Sequence, residues 1–529
     1  MADSMIASGA DALAAPGAPA APAAPAAGGL RRTAPLMLAA VALLSACSFT
    51  PTYQRPELPV PKTLAGVAAV APSPASVTAS GAAPGAASGT ASGTDAAQAP
   101  NPADLPWRSY FPDARLQSLV CEALVNNRDL RVAILNIEQL RAAYQIQRAD
   151  LFPTLNASVN ATRQPSTLPP FRLLGTATAG LAIPAFELDL FGRVQALSDA
   201  AAAQVLASEE ARRSVHISLV ASVASAYYTL WADRWQLALA EQTLQTRQSS
   251  LKLQQLKYDT GVLNELDLRT VQSTVEAARV ARAQAQRAVA QGVQALAVLV
   301  GRPVPDEWLP PQANLDFKDP AQFVKASLWP GLSELPVGLS SEVLLQRPDV
   351  AQAEQSLVVA NANIGAARAA RFPRISLTGS AGTASSSLTG LFEDPRFAWS
   401  VGGNLLAPLL DAGRSAAAVD SALVRRDIAI AQYDKAVQTA FREVADALVA
   451  RRTYAEQAEA QLAQAQAEAA RLRLSNLRYD NGVASQLDLL DAQRALFAAQ
   501  QAHITSQLAR QQAHIGVYKA LGGGWVDPR

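Results

Sequence analysis

Two long stretches of this chain contain neither proline nor glycine, and they limit the possible folds more than any other feature. They span residues 194–258 and 415–479. Because an α-helix rises about 1.5 Å per residue, each run predicts a helix roughly 100 Å long. A helix of that length does not fit inside a compact globule, so we expect an elongated protein that is mainly helical.

The chain also contains an internal duplication. Residues 258–272 match residues 479–493 at eight of fifteen positions. The correspondence continues through both halves at an offset of 220 or 221 residues, in the pairs Asp129 and Asp349, Phe152 and Phe372, Gly192 and Gly413, and Gly301 and Gly522. Such duplication determines the architecture. We predict one structural repeat at 107–305, a linker at 306–340, a second repeat at 341–525 and a short tail at 526–529.

Each repeat changes its hydrophobic period twice. Proline disfavours the helical conformation of the residue before it, so Phe152-Pro153 ends a helix. Apolar and polar residues then alternate over residues 155–162, which is the period of a strand. The predicted elements of the two repeats are β-hairpins at about 154–190 and 374–408, long helices at about 194–258 and 415–479, and return helices at about 263–300 and 484–520.

The long helices carry a heptad spacing typical of a coiled coil. In the first repeat the seam is Leu237, Leu244, Leu251 and Tyr258. In the second repeat the equivalent residues are Ala458, Ala465, Leu472 and Tyr479. The smaller alanines predict a closer approach of the two helices there.

Four strands are too few to close a barrel, and an open sheet in lipid would leave unpaired edges. The strands of several chains must therefore combine. Two chains would give eight strands and three would give twelve, and both numbers suit an outer-membrane barrel. Sequence physics alone does not choose between them.

The N-terminus has the pattern of an export signal. Arg31-Arg32 is followed by an apolar run at 34–46 that is too short to span a bilayer. The run ends at Cys47 in a sequence that resembles a bacterial lipoprotein box, which implies removal of residues 1–46 and an N-acyl diglyceride on Cys47. The alternative is an ordinary signal peptide in which this cysteine is incidental. Ser48 is not the aspartate associated with inner-membrane retention, so the resemblance favours the outer membrane.

The segment that follows, residues 47–106, is expected to be extended and anchored by lipid. Within it, residues 64–104 are nearly all alanine, glycine, serine, threonine and proline. That composition buries too little apolar surface to fold, so a flexible tether is predicted.

Composition excludes several classes of function. A net charge of +1 argues against a nucleic-acid-binding surface, and 2 cysteines with 3 histidines argue against a disulfide scaffold or a metal site. The chain has no motif of a nucleotide-binding, hydrolytic or metalloprotease site, so we expect neither an enzyme nor a cofactor. His216, His503 and His514 are interpreted as packing or surface residues, and Cys121 as a buried structural thiol.

Together these features resemble one family, the TolC-like outer-membrane efflux factors of the NodT/OprM type. The resemblance rests on the lipoprotein box, the duplicated unit, the Glu187-Leu188-Asp189-Leu190-Phe191-Gly192-Arg193 motif, both Tyr-Asp-x-Gly-Val turns and the terminal Leu521-Gly522-Gly523-Gly524-Trp525. It covers the chain from about residue 48 to the C-terminus, apart from residues 64–104.

The resemblance implies an α+β membrane protein: a homotrimer with a twelve-stranded β-barrel in the outer membrane and a long helical tunnel in the periplasm. It also implies two partners, a periplasmic membrane-fusion adaptor and an inner-membrane transporter of the resistance-nodulation-division (RND) class. The expected function is the exit duct of a tripartite multidrug or solvent efflux system.

In this family the periplasmic end of the tunnel closes as an iris, and the matching residues here are Leu487, Asp491 and Arg494. They follow one helical face, with Asp488 beside them and Asp491 and Arg494 spaced as an i,i+3 ion pair. Three copies around an axis would form an apolar ring and an acidic ring, and acidic rings favour cations. The alternative for the same residues is a solvated helix face.

Other residues of the turns are assigned by the same resemblance. Asp267 matches the gate partner of the first repeat, its alternative being a surface charge in a turn. Tyr258 and Tyr479 are expected to pack the turns, and Tyr479 to hold the iris shut through a hydrogen bond. The adaptor is expected to dock beside the turns, at Gly261, Val262, Gly482 and Val483.

Two other functions fit parts of the sequence. A purely structural coiled-coil rod would explain the long helices but would leave both hairpins without a purpose. A duct with another cargo, either proteins of a type I secretion system or heavy-metal ions, keeps the architecture. With 3 methionines in the whole chain, a methionine-lined copper path has no support.

Overall fold

The computed structural model describes most of both repeats. The described residues are 48–61, 106–165, 167, 169, 171, 173–312, 329, 341–393 and 396–523. The predicted signal peptide, Cys47, the tether at 64–104, most of the linker and the C-terminal tail lie outside these residues.

The first repeat contains five α-helices and two strands within the described residues. In chain order they are α1 (Trp107–Tyr110), α2 (Ala114–Asn126), α3 (Arg128–Ala149), β1 (Asn156–Pro165), β2 (Leu173–Leu188), α4 (Arg193–Asp259) and α5 (Glu265–Val300). A 3₁₀ turn at Asp306–Trp308 follows.

The second repeat has the same order. After a 3₁₀ turn at Ser341–Gln346 come α6 (Pro348–Ala369), β3 (Arg374–Ser385), the short α7 (Gly390–Glu393), β4 (Arg396–Leu406), α8 (Arg414–Asp480) and α9 (Gln486–Ala520). The long helices α4 and α8 each have 67 residues, so each is about 100 Å long. The predicted duplication, the long helices and the four strands are confirmed.

The four strands form one antiparallel sheet in the order β1-β2-β3-β4. The register pairs Ala157 with Leu181, Leu181 with Ala381, and Ala381 with Trp399. One face of the sheet therefore carries apolar side chains: Val159, Leu181, Phe397, Trp399 and Val401. The opposite face is polar or small: Asn160, Thr178, Ser380 and Ser400. One face suits lipid and the other suits a water-filled channel.

Each outer strand of this sheet has one unpaired edge. β1 pairs only with β2, and β4 pairs only with β3, among the strands that the structure describes. A four-stranded sheet with two free edges is not stable in lipid, because no water is available to hydrogen-bond the free N–H and C=O groups. The barrel must therefore be completed by strands of other chains.

The main hydrophobic core is built from α1, α2, the central parts of α4 and α8, and the C-terminal half of α9. Its largest members are aromatic: Trp107, Tyr110, Phe111, Tyr227, Tyr228, Trp231, Trp235, Trp329, Tyr433 and Tyr518. One segment of α4 is long and apolar enough to span a membrane, but 61% of it is buried inside the protein, as in a core helix. Cys121, predicted to be buried, is only partly buried against this core.

The heptad seam of the first repeat weakens toward its turn. Leu244 is buried and Leu251 is half-buried, whereas Tyr258 is 38% exposed. In the second repeat Ala458 and Ala465 are almost completely buried. Tyr258 is thus the most exposed of these residues, and its role in packing the turn stays a prediction.

Residues 48–61 form an N-terminal strap that runs along α6. The Arg55 guanidinium donates to both oxygens of Glu354, at 2.7 and 2.8 Å, and the Tyr53 hydroxyl donates to Oε1 of the same carboxylate at 3.0 Å. At the sheet end, the ring of Phe49 stacks on Phe372 with 4.6 Å between centroids, and Phe372 stacks on Phe191 at 4.8 Å. The strap thus connects to residues at the strand ends of both repeats.

Candidate functional site at the helical turns

Each long helix is joined to its return helix by one turn, at the end farthest from the sheet, and the two turns match. In the first turn the amide of Val262 donates to the Lys257 carbonyl at 2.9 Å, and the amide of Gly261 donates to the Tyr258 carbonyl at 2.9 Å. This is a Schellman motif, which needs a left-handed residue. Gly261 supplies it with φ +77°, and in the second turn Gly482 does so with φ +71°.

Each return helix begins with a side-chain cap. Asn264 accepts from the Asp267 amide at 2.8 Å and donates to the Asp267 carboxylate at 2.9 Å. Ser485 and Asp488 form a complete capping box. The hydrogen bonds from the Ser485 hydroxyl and amide lower the pKa of Asp488. Asp267 and Asp488 are thus helix-capping residues, a role that the Asn-x-x-Asp and Ser-x-x-Asp patterns could have revealed.

The surface of both turns is apolar. Val262 and Leu266 are 77% and 76% exposed in the first turn, and Val483 and Leu487 are 66% and 64% exposed in the second. Large exposed apolar side chains in matched positions are typical of a contact surface. The described residues of this single chain leave them uncovered.

Asp491 forms its ion pair with a residue of α8, whereas the expected partner, Arg494, lies on its own helix, α9. Its carboxylate accepts from Nη2 of Arg471 on α8 at 2.6 Å. Because α8 and α9 run antiparallel, Arg471 reaches the carboxylate across the helix pair. The expected i,i+3 ion pair with Arg494 is replaced by this contact.

Arg494 lies instead at a cavity of about 550 Å³ between α5 and α9. The wall includes two more arginines, Arg247 and Arg269. Arg247 donates to the Thr274 carbonyl at 2.9 Å and lies over the Phe497 ring at 5.6 Å. Burial lowers the pKa of Arg247, and the nearby charge of Arg494 lowers it further. This wall of the helical pairs is therefore positively charged.

Tyr479 contacts the turn of the other repeat. The ammonium of Lys257 lies 5.5 Å from the centre of its ring and 3.5 Å from its hydroxyl oxygen. This contact links the end of α4 to the end of α8. The structure thus brings Tyr479 to the end of α4, whereas Tyr258 is 38% exposed.

Within the described ranges, no group of three or more histidine, cysteine, aspartate or glutamate side chains is placed to hold a metal ion. Arg471 and Lys257 are the residues at the turns that the sequence did not single out. Both are exposed or half-buried cations on helices rich in such residues, and neither forms a local motif with its partner.

Comparison with known proteins gives consistent similarities. The sequence profile described as outer membrane efflux protein matches residues 119–302 and 339–523. The chain is 42% identical over 498 residues to a toluene efflux pump outer membrane protein, TtgC, of Pseudomonas putida, covering 93% of this chain and 96% of that protein. It is 41% identical over 491 residues to the outer membrane protein OprJ of Pseudomonas aeruginosa, covering 92% and 95%.

The fold is likewise similar to solved structures. The open state of the MtrE outer membrane channel of Neisseria gonorrhoeae superposes with a TM-score of 0.75 at 37% identity, covering 90% of this chain and 99% of that one.

Proposed function

This chain belongs to the outer membrane efflux proteins, and we propose that it is the exit duct of a tripartite efflux system driven by an RND transporter. The resemblance derived from the sequence motifs is confirmed by the family match. One observation carries the duct mechanism. A sheet with two open edges, apolar on one face, is joined in the same chain to two helices of 67 residues each. We infer a passive conduit with no catalytic chemistry and no cofactor besides a covalent lipid.

The channel consists of three chains. Three copies of the four-stranded sheet give a twelve-stranded barrel, in which every strand edge is paired. The apolar face with Trp399 and Val401 then faces lipid, and the polar face with Ser380 and Ser400 faces the lumen. The helical pairs continue the lumen into the periplasm.

The cargo is proposed by analogy with the relatives. One similar protein is named for toluene efflux and another for solvent efflux. We therefore propose export of apolar small molecules, including drugs and solvents, with a periplasmic adaptor and an inner-membrane RND transporter as partners. The adaptor docks on the exposed apolar turns, at Gly261, Val262, Gly482 and Val483.

The lipid anchor is proposed at Cys47. Phe49, two residues later, stacks on Phe372 beside the sheet. Two residues of chain span at most about 7 Å, so an acyl group on Cys47 would enter the same membrane that holds the barrel. The anchor and the barrel thus act together at the outer membrane.

The gate is proposed at the turn end of α9. Leu487 would form the apolar ring and Asp491 the acidic ring, with Arg494 on the neighbouring wall. Asp267 and Asp488 support the gate by capping the return helices, and Tyr479 supports it through its contact with Lys257.

The function is tested by deleting the gene and measuring growth inhibition by unrelated antibiotics, dyes, detergents, solvents and divalent metal salts. Secreted proteins are analysed in parallel. We expect sensitivity to several apolar compounds, restored by the wild-type gene but not by a Cys47→Ala variant that is made in equal amount. Sensitivity to metals alone, or loss of one secreted protein, would indicate a different cargo and contradict the proposal of drug efflux.

A further inference from the structure

The contact between Arg471 and Asp491 joins the two helices of the second repeat at the proposed gate. Arg471 Nη2 lies 2.6 Å from the Asp491 carboxylate, and its Nη1 lies 3.1 Å from the carboxylate of Glu468. The side chains of Arg471 and Asp491 are 46% and 54% exposed. The guanidinium thus lies between one carboxylate of α8 and the gate carboxylate of α9.

The first repeat provides an internal comparison, because the same unit occurs there at an offset of 221 residues. Leu487 and Asp488 correspond to an identical leucine and aspartate. The three residues of the ionic chain, by contrast, correspond to Arg247, Ser250 and Thr270. The two repeats therefore share the turn and the cap, and differ at the residues that make this contact.

The other arginine near the gate does not serve the same purpose. Arg494 lies at the cavity lined by Arg247 and Arg269, on a positively charged wall. Arg471 is thus the cation that compensates Asp491 in this structure. Without it, three carboxylates would face one another at a narrow mouth, and like charges repel.

We infer that Arg471 is a positioning residue of the gate: it holds the Asp491 carboxylate against α8 and so keeps the mouth narrow. The inference rests on the proposed gate. Opening then requires Asp491 to leave Arg471, and the fixed cation lowers the negative charge that a permeating ion meets.

The test measures current and ion selectivity of the lipid-reconstituted full-length trimer, with a KCl gradient across a planar bilayer. The variants are Arg471→Gln, Arg471→Lys, Asp491→Asn, Arg494→Gln and the double variant Arg471→Gln/Asp491→Asn. Arg452→Gln is the matched control, since Arg452 is a similarly exposed arginine of α8 whose partner is Glu456 of the same helix, at 3.9 Å.

We expect Arg471→Gln to raise the resting current between about threefold and about a hundredfold. An exposed ion pair changes an equilibrium by about 1.4-fold to fivefold, and three copies act on one mouth. Cation selectivity should increase in Arg471→Gln and decrease in Asp491→Asn, a pair of opposite shifts that general damage to the helices would not produce. Arg471→Lys should resemble the wild type.

Dependence on Asp491 decides the mechanism. The double variant should behave like Asp491→Asn alone. If Arg471→Gln behaves like the wild type while Asp491→Asn leaks, the gate stands and the role of Arg471 is wrong. The role of Arg471 would also be wrong if Arg471→Gln raised the current equally in the wild type and in Asp491→Asn. The same holds if the control Arg452→Gln raised the current as much as Arg471→Gln. If neither Asp491→Asn nor Arg494→Gln changes the current, the proposed gate itself fails, and the inference fails with it.

Discussion

Arg347 occupies in the second repeat the place that Asn127 holds in the first. The Asn127 amide donates to the Leu299 carbonyl at 2.9 Å, and the Arg347 guanidinium donates to the equivalent Ala520 carbonyl at 2.6 Å. Each bond joins the start of one helix to the end of the return helix of its repeat. Arg347 differs in also pairing with Asp349 and Glu443, at 2.6 and 2.7 Å.

Replacing Arg347 by methionine should destabilise the second repeat. The side chain of Arg347 is only 7% exposed, and its removal would leave a buried carbonyl without a donor. We expect a loss of about 1–3 kcal/mol in the free energy of unfolding, measured by urea titration in detergent. The control is Arg302→Met, which removes an ion pair with Glu122 from a half-exposed arginine and should cost less than about 1 kcal/mol.

Removing the cap of α9 should loosen the start of that helix. Ser485→Ala eliminates the hydroxyl that accepts from the Asp488 amide, at an expected cost of about 1 kcal/mol. Faster hydrogen exchange at the first amides of α9 should report it. Thr505→Ala, in the exposed interior of the same helix, should leave those amides unchanged. Equal exchange in both variants would show that the cap does not stabilise the turn.

Two glycines should respond to alanine for different reasons. Gly482 has φ +71° with no atom near a β-carbon, so Gly482→Ala is strained by about 1–2 kcal/mol without a clash. A β-carbon at Gly365 of α6 would overlap Thr50, so Gly365→Ala should displace the N-terminal strap. Limited proteolysis should then cleave residues 48–61 faster in Gly365→Ala only. Equal cleavage in both variants would contradict this assignment.

An arginine should be tolerated on one face of β4 and not on the other. Val401 lies on the apolar face, and Val401→Arg should cost up to about 4 kcal/mol per copy in a membrane. Ser400→Arg places the same charge on the polar face, so it should change conductance more than stability. Urea unfolding in lipid vesicles measures the difference. Equal destabilisation would mean that the two faces are wrongly assigned.

The stability of the chain should depend on pH through His503. This side chain is completely buried, and burial lowers the pKa of its imidazole. The unfolded chain therefore binds the proton more readily than the folded chain. The stabilisation is complete above the ordinary histidine value of about 6.5 and decreases as the pH falls toward the lowered pKa. His503→Gln should unfold with a smaller pH dependence between about pH 7 and 5 than the control His514→Gln on the same helix.

Much of the fold could be predicted from periodicity. The absence of proline and glycine in residues 194–258 indicated α4, and alternation after Phe152-Pro153 indicated β1. These features are local, because helix period, strand period and proline restrictions act within a few residues. Local patterns could not predict the number of chains, because that number depends on how the edges of separate sheets pair.

The candidate site was predicted less completely, because its contacts cross between helices. The spacing of Asp491 and Arg494 favoured a pair within α9, but Arg471 is 20 residues away in sequence and closer in space. Lys257 and Tyr479 are separated by 222 residues, which no local pattern detects. The capping residues Asn264 and Ser485, in contrast, follow a local rule that the sequence already contained.

The unpaired edges of β1 and β4 have a genetic consequence. Every pore is built from the strands of three copies. A copy with a defective edge therefore inactivates the pore that it forms with two intact copies. If half of the chains in a cell carried such a defect and mixed at random, only about one-eighth of the pores would contain three intact chains. Lesions at these edges are therefore expected to be dominant, whereas a chain that never reaches the membrane leaves its normal siblings free to assemble.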